Sequence, residues 1–255
     1  MKNYKMKRKF ENVQIGNEVS ISDLANASKS DYTADTAPAN FSRVKTYGKG
    51  EVNVYKHNTS DEYIISHRGT DFAKKRKSVM GDLIADFNIA IGNTSADKKN
   101  AKRTKYTEKA IDMVRGDSSD ANIYLTGHSL GGSTSLHAIM NSDKVRKNVT
   151  EHHTFNAGSS LINNRSAPKS VIREINEKTT HHHISGDAIS KHVDKMPGKS
   201  IEYASKGKVT MSEKVLNAAK PLLQKSAAGS LIHKAGHTAL RTLSSHSLDN
   251  FAKFA

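Results

Sequence analysis

The stretch Gly127-His128-Ser129-Leu130-Gly131-Gly132 constrains this chain more than any other. Ahead of it, Ile123, Tyr124 and Leu125 form a short, β-prone apolar run; behind it, Ser133 to Met140 suits a helix. A G-x-S-x-G turn between strand and helix forces its serine into strained backbone geometry, which close neighbours without a Cβ make tolerable. The serine oxygen is then presented at the tip of a strand, beside a helix N-terminus that stabilises negative charge. A plain glycine turn is the competing reading. The strand before, the helix after and the further glycine at Gly132 favour a nucleophile elbow instead.

A chain of 255 residues can bury one sizeable core, and it shows no internal repeat or second-domain boundary, so a single α/β domain over 1–255 is expected. Hydrophobic residues make up 35% and mean hydropathy is −0.65, which gives an adequate core under a very polar surface. No apolar run is long enough to span a bilayer. The basic start, Met1 to Phe10, lacks the apolar segment of a secretory signal. Cysteine is absent, which excludes disulfides and a thiolate nucleophile. The expected location is therefore cytoplasmic or peripheral to a membrane. A formal charge of +15 draws in polyanions, so an anionic membrane surface or nucleic acid is a candidate partner, with simple solubility as the plain alternative. With 6% aromatics, no tryptophan and no basic-aromatic interleaving, nucleic acid is not the expected main partner.

The chain opens with a loose or edge segment over 1–17. A short helix over Ile21–Ala27 follows, capped by Ser20 or Ser22, and then a loop from Ser28 to Asn40. Phe41 to Tyr47 leads into the sheet. Val52–Tyr55 and Glu62–His67 read as an antiparallel hairpin across the turn Asn58 to Asp61. The second strand ends in Arg68-Gly69-Thr70, a glycine and a hydroxyl placed to aim donors into a shared cleft. Met80 to Ile91 carries Leu83, Ile84, Phe87 and Ile91 at helical spacing, which reads as a mobile cover over the site, a lid over 71–95, or as an ordinary packed helix. Asn93 to Arg103 reads as a loop, and Tyr106 to Val114 as a helix leading to the elbow strand. Further strands are expected at His152–Phe155, His181–Ser185 and Ser200–Ala204, with a helix or connector at Val171–Glu177. The alternation predicts a three-layer α/β architecture with a mostly parallel central sheet and an antiparallel start, which together with the elbow suits a three-layer α/β-hydrolase fold.

A serine hydroxyl is a poor nucleophile at neutral pH, so Ser129 needs a histidine base and the base an orienting carboxylate. In the α/β-hydrolase arrangement they follow in the order Ser, Asp, His. Asp187, in the turn after the His181–Ser185 strand, is the expected acid, with Asp194 in reserve. The base is open among His192, His233, His237 and His246; a loop position after a helix end favours His246. His128 is expected to point away from the site. The runs His152-His153 and His181-His182-His183 lie in strands, where neighbours face opposite sides, so no metal or cofactor is expected.

Taken together these residues resemble the class 3 lipases, an α/β-hydrolase family acting on acylglycerols. Gly127 to Gly132 is similar to that family's whole elbow, and His67-Arg68-Gly69-Thr70 to its oxyanion strand, with His67 in place of the usual phenylalanine. Ile84-Ala85-Asp86 and Thr154 to Ser159 resemble the helix after its lid and its next core strand. The resemblance implies that Thr70, by hydroxyl and amide, and Leu130, by its amide, hold the oxyanion. It also implies an acylglycerol or phospholipid substrate, cleaved through an acyl-enzyme on Ser129, Asp187 and His246. A phospholipase or acyltransferase at anionic membranes, or a catalytically silent membrane-binding protein on the same scaffold, are the alternatives. A segment over 205–245 with an apolar helical stripe departs from the family, as a second lid, an interfacial helix or extra core.

Overall fold

The computed structural model describes residues 13–32, 36–69, 94–158, 167–187, 190 and 193–204, with backbone alone at 7–8 and 94–99. The expected lid up to residue 93, Thr70, the insertion at 205–245 and all four base candidates lie outside the described residues.

The short edge strand β1 (Lys7–Arg8) precedes helix α1 (Ile21–Ser30). α1 starts where a capping box forms: the Asp23 amide donates to Ser20 Oγ at 3.3 Å, and the Ser20 amide donates to Asp23 Oδ2 at 2.9 Å. It runs three residues into the expected loop. Strands β2 (Phe41–Tyr47), β3 (Val52–His57) and β4 (Glu62–His67) make two antiparallel hairpins. Helix α2 (Thr94–Asp117) corrects the loop expected over Asn93 to Arg103: this span is polar but has no proline, and after Gly92 no glycine. Ala96, Lys98, Lys99, Ala101, Lys102 and Arg103 are strong helix formers, and polarity alone does not separate a helix from a loop. β5 (Asn122–His128), α3 (Leu130–Asn141), α4 (Asp143–Asn148), β6 (Glu151–Phe155), α5 (Lys169–Lys178), β7 (Thr179–Ile184) and β8 (Lys199–Tyr203) complete the order, with a 3-10 turn at Val193–Lys195.

The strands form one eight-stranded sheet in the order β1-β8-β7-β6-β5-β4-β3-β2. From β4 through β8 to β1 every neighbour is parallel, so the expected mostly parallel sheet with an antiparallel start is what the chain builds. Side chains alternate across the strands and divide the core in two. Ile64, Tyr124, Phe155, Ile184 and Tyr203 pack on one face with Val19, Ile21 and Leu24. Tyr63, Ile65, Ile123 and Leu125 pack on the other with Ile111, Leu136, Val145 and Ile175. The layers are therefore α1, sheet, and α2 to α5. This is the three-layer α/β-hydrolase architecture. Because β4 to β7 run parallel, their C-terminal ends open onto one edge, where a site in such a sheet belongs. Among the described residues no helix is long and apolar enough to cross a membrane.

Candidate active site

Ser129 follows β5 directly and is the N-cap residue of α3, with φ 57° and ψ −124°. A non-glycine residue held there stores of the order of 1–3 kcal/mol of backbone strain. Two close approaches explain the flanking glycines. A Cβ on Gly127 would lie 2.4 Å from the Gly131 carbonyl carbon, and one on Gly131 would lie 2.0 Å from the His67 carbonyl oxygen. The elbow therefore folds tightly on itself and against the end of β4. Its backbone is pinned by the Ser129 amide donating to the Phe155 carbonyl at 3.0 Å and the Ser133 amide donating to the Ser129 carbonyl at 3.2 Å. The Ser129 side chain makes no capping bond to the helix that it begins. Its Oγ is buried and has no hydrogen-bond partner among the described residues. Leu130 opens α3, so its amide, like every first-turn amide, has no carbonyl acceptor within the helix.

The end of β4 lies beside this turn. His67 pairs in register with Gly127, and a side-chain carbon placed on Gly69 would sit 2.6 Å from the His128 carbonyl and 3.5 Å from Ser129 Cβ. The peptide between Arg68 and Gly69 is held from both layers. Arg103 Nη1 on α2 donates to the Arg68 carbonyl at 2.8 Å and to Thr134 Oγ1 on α3 at 3.1 Å. From the α1 side, Tyr32 receives a hydrogen bond from the Gly69 amide, and its hydroxyl meets His128 Nδ1 at 3.2 Å. Desolvation, then the neighbouring Asp31, pushes the phenol's pKa up, so Tyr32 stays protonated. His128 thus faces the α1 layer. Neither Tyr32 nor Arg103 is legible as a site neighbour in the sequence: both fall in stretches that read as loop. A lone aromatic in a Ser/Asp/Thr-rich run was the one available signal for Tyr32.

Asp187 lies at the same edge, three residues past β7. Gly186, at φ 85°, makes the turn, and the Asp187 amide donates to the Ile184 carbonyl at 3.1 Å. The side chain is buried, and its Oδ2 accepts from Ser190 Oγ at 2.6 Å and from the Ser190 amide at 3.2 Å. Asn156, after β6, ties the two strand ends together: its amide donates to the His182 carbonyl at 2.8 Å, and its Oδ1 accepts from the Ile184 amide at 2.9 Å. Asp194 is exposed in the 3-10 turn.

The strand histidines are built into the core. His67 bridges Thr134 Oγ1 at 3.0 Å and Thr107 Oγ1 at 2.8 Å, tying α3 and α2 to β4. His152 meets Ser135 Oγ at 2.9 Å, and His181 lies between Thr154 Oγ1 at 2.7 Å and the Pro197 carbonyl at 2.8 Å. On the other face a ladder runs from Glu151 through His153 and His182 to the Tyr203 hydroxyl, at 2.8, 2.9 and 2.8 Å. Desolvation drives the pKa of His67, His152 and His182 well below 6.5 and that of His181 to about 4, so these four rings are neutral.

A three-layer α/β-hydrolase sheet carrying a strained serine elbow, with a buried aspartate after the next strand but one, defines the class. Within it, the chain belongs to the Mbeg1-like family, whose match covers residues 9–189, more than half of the 255 residues. That span includes the elbow and Asp187 and ends short of 205–245. Similar solved structures include the Lip2 lipase of Yarrowia lipolytica, at 14% identity and TM-score 0.47, over 72% of this chain and 77% of that one. The mono- and diacylglycerol lipase of Aspergillus oryzae is 17% identical at TM-score 0.38, over 73% and 77%. The Rhizomucor miehei lipase in its propeptide complex is 11% identical at TM-score 0.38, over 66% of this chain and 60% of that one. The chain thus spans about three fifths of the Rhizomucor chain. No curated protein matches.

Proposed function

We propose that the protein, folded as one domain, is a serine hydrolase of the lipase kind that cleaves carboxylic esters of lipids. The observation that carries this reading is Ser129: a strained, buried serine whose hydroxyl neither caps its helix nor pairs with another described group. Holding a side chain at that backbone cost, with its polar atom unspent, makes sense where the atom reacts. In this reading Ser129 attacks the ester carbonyl and a histidine takes its proton. The leaving alcohol departs with that proton, and water then hydrolyses the acyl-serine. Asp187 orients the imidazole and stabilises its charged form. Thr70 with the Leu130 amide receives the oxyanion. All nine histidines among the described residues have hydrogen-bond partners other than Ser129, for example His57 with Ser60 and His137 with Thr104. This supports a base drawn from His192, His233, His237 and His246, and His246 remains the choice for its position in sequence.

The test is a fluorophosphonate probe and a short-chain p-nitrophenyl ester, with wild type against Ser129→Ala. Labelling and turnover that vanish in the variant, the latter by roughly a million-fold, support the reading. Turnover persisting in Ser129→Ala sinks it, and an unlabelled wild type favours the silent membrane-binding scaffold. Replacing the four candidate histidines one at a time assigns the base; full activity in His246→Ala rejects that assignment.

A further inference from the structure

We propose that Arg103 is a positioning residue for this site, which with Tyr32 clamps the peptide between Arg68 and Gly69 and so fixes the end of β4 facing Ser129. This rests on the hydrolase reading above. The β4–β5 ladder ends at the pair His67 and Gly127, so the next peptide has no strand to bond to. A backbone carbonyl and amide in a packed region need partners, and here both come from side chains. Arg103 takes the carbonyl from the α2 and α3 layer, and Tyr32 takes the amide from the α1 layer. The peptide is thereby gripped from opposite faces of the sheet.

Each jaw also touches the elbow. The same Arg103 nitrogen reaches Thr134, five residues after Ser129, and the Tyr32 hydroxyl meets His128, the residue before it. The donor side of the site and the nucleophile are thus referenced to one another through two side chains. Gly69 needs that control because it has no room: a side-chain carbon there would lie 2.3 Å from the Tyr32 hydroxyl and 2.6 Å from the His128 carbonyl. Among the described residues no carboxylate hydrogen-bonds to Arg103. The desolvated guanidinium donates to a neutral carbonyl and a hydroxyl, with the Glu51 carboxylate offsetting part of its burial cost through space, and it is well placed to gain when negative charge develops beside Gly69. The rigid fork of arginine suits this grip better than a lysine ammonium on its flexible stem.

Arg103→Met, Arg103→Lys and Tyr32→Phe test the clamp, with two readouts: hydrogen exchange of the Gly69 amide, and kcat and KM for p-nitrophenyl butyrate. Tyr32→Phe removes a single oxygen and keeps the test open if Arg103→Met does not fold. The expected result is faster Gly69 exchange in Tyr32→Phe and Arg103→Met. For Arg103→Met, kcat should fall about 10²-fold, the scale of a misplacement near 1 Å, with KM little changed and partial recovery in Arg103→Lys. Unchanged Gly69 exchange, or a rate loss carried by KM alone, overturns the clamp and leaves the hydrolase reading standing. A wild type that neither turns over the ester nor labels at Ser129 overturns the hydrolase reading itself.

Discussion

At the scale of single residues, the strain in Ser129 gives a way to separate stability from function. Its hydroxyl makes no bond among the described residues, and its φ of 57° suits glycine. Ser129→Gly should therefore raise the unfolding free energy by about 1 kcal/mol, a shift of roughly 2–4 °C in Tm, while abolishing ester turnover. A variant that melts lower than wild type would show that the serine side chain supports the fold. Gly131→Ala should act in the opposite direction. Its new carbon would meet the His67 carbonyl at 2.0 Å, and because both partners are backbone, relief requires moving α3 away from β4. A destabilisation of about 3 kcal/mol, read by denaturant unfolding, is the expected cost. Asp31 is a third case. It is buried and accepts from Asn53 at 2.8 Å, Tyr55 at 2.9 Å and Ser66 at 2.5 Å, yet desolvation still pushes its pKa up from 3.8 to about 6. With the folded pKa raised, its contribution to stability is present below pH 3.8 and is lost as pH rises to about 6. The stability difference between wild type and Asp31→Asn should therefore shift in favour of the variant across that window and stay level above it.

At the scale of elements, β6 and β7 place histidines where most sheets place aliphatic residues, and each ring is wedged between hydroxyls, a carbonyl or another ring. Burial depresses the pKa of His152, His181 and His182, together with His67 on β4, so the unfolded chain binds more protons than the folded one below pH 6.5. Their stabilising contribution is full above pH 6.5 and is lost as pH falls, towards about 4 in the case of His181. Each can contribute at most about 1.4 kcal/mol per pH unit. Four such groups outweigh the single opposing Asp31. Unfolding midpoints should drop steadily from pH 6.5 to 4.5; a flat profile over that range would show that the rings are protonated at no cost. The strands appear in the sequence as β-prone runs, but the hydroxyl partners of these histidines come from other elements, so their role was not legible there. The first half of α2 reads as loop in the sequence for a related reason: a polar run suits a helix and a loop alike.

At the scale of the molecule, the chain that carries a site proposed to act on lipid esters has a formal charge of +15. Net charge of this size favours association with anionic surfaces. Binding to phosphatidylserine-containing vesicles should weaken as salt is raised from 0.05 to about 0.5 M, where the Debye length contracts to a few ångströms. Equal binding at both salt concentrations would remove electrostatics as the cause. Ser129→Ala should bind as wild type does, because the attraction belongs to the surface and not to the chemistry.

The sequence alone determined the local pieces. The elbow, the hairpin, the parallel alternation, Ser129, and Asp187 at its turn all follow from glycine placement, apolar periodicity and strand-end chemistry within short windows. Tertiary structure decided what those windows cannot contain. It set which elements meet at the sheet's C-terminal edge, brought Arg103 and Tyr32 onto one peptide from opposite layers, and buried most of the strand histidines as neutral packing groups. The physical reason is reach. Propensity and periodicity act over a few residues, whereas the hydrogen bonds that complete the 68–69 peptide join residues 35 apart in sequence from Arg68 to Arg103.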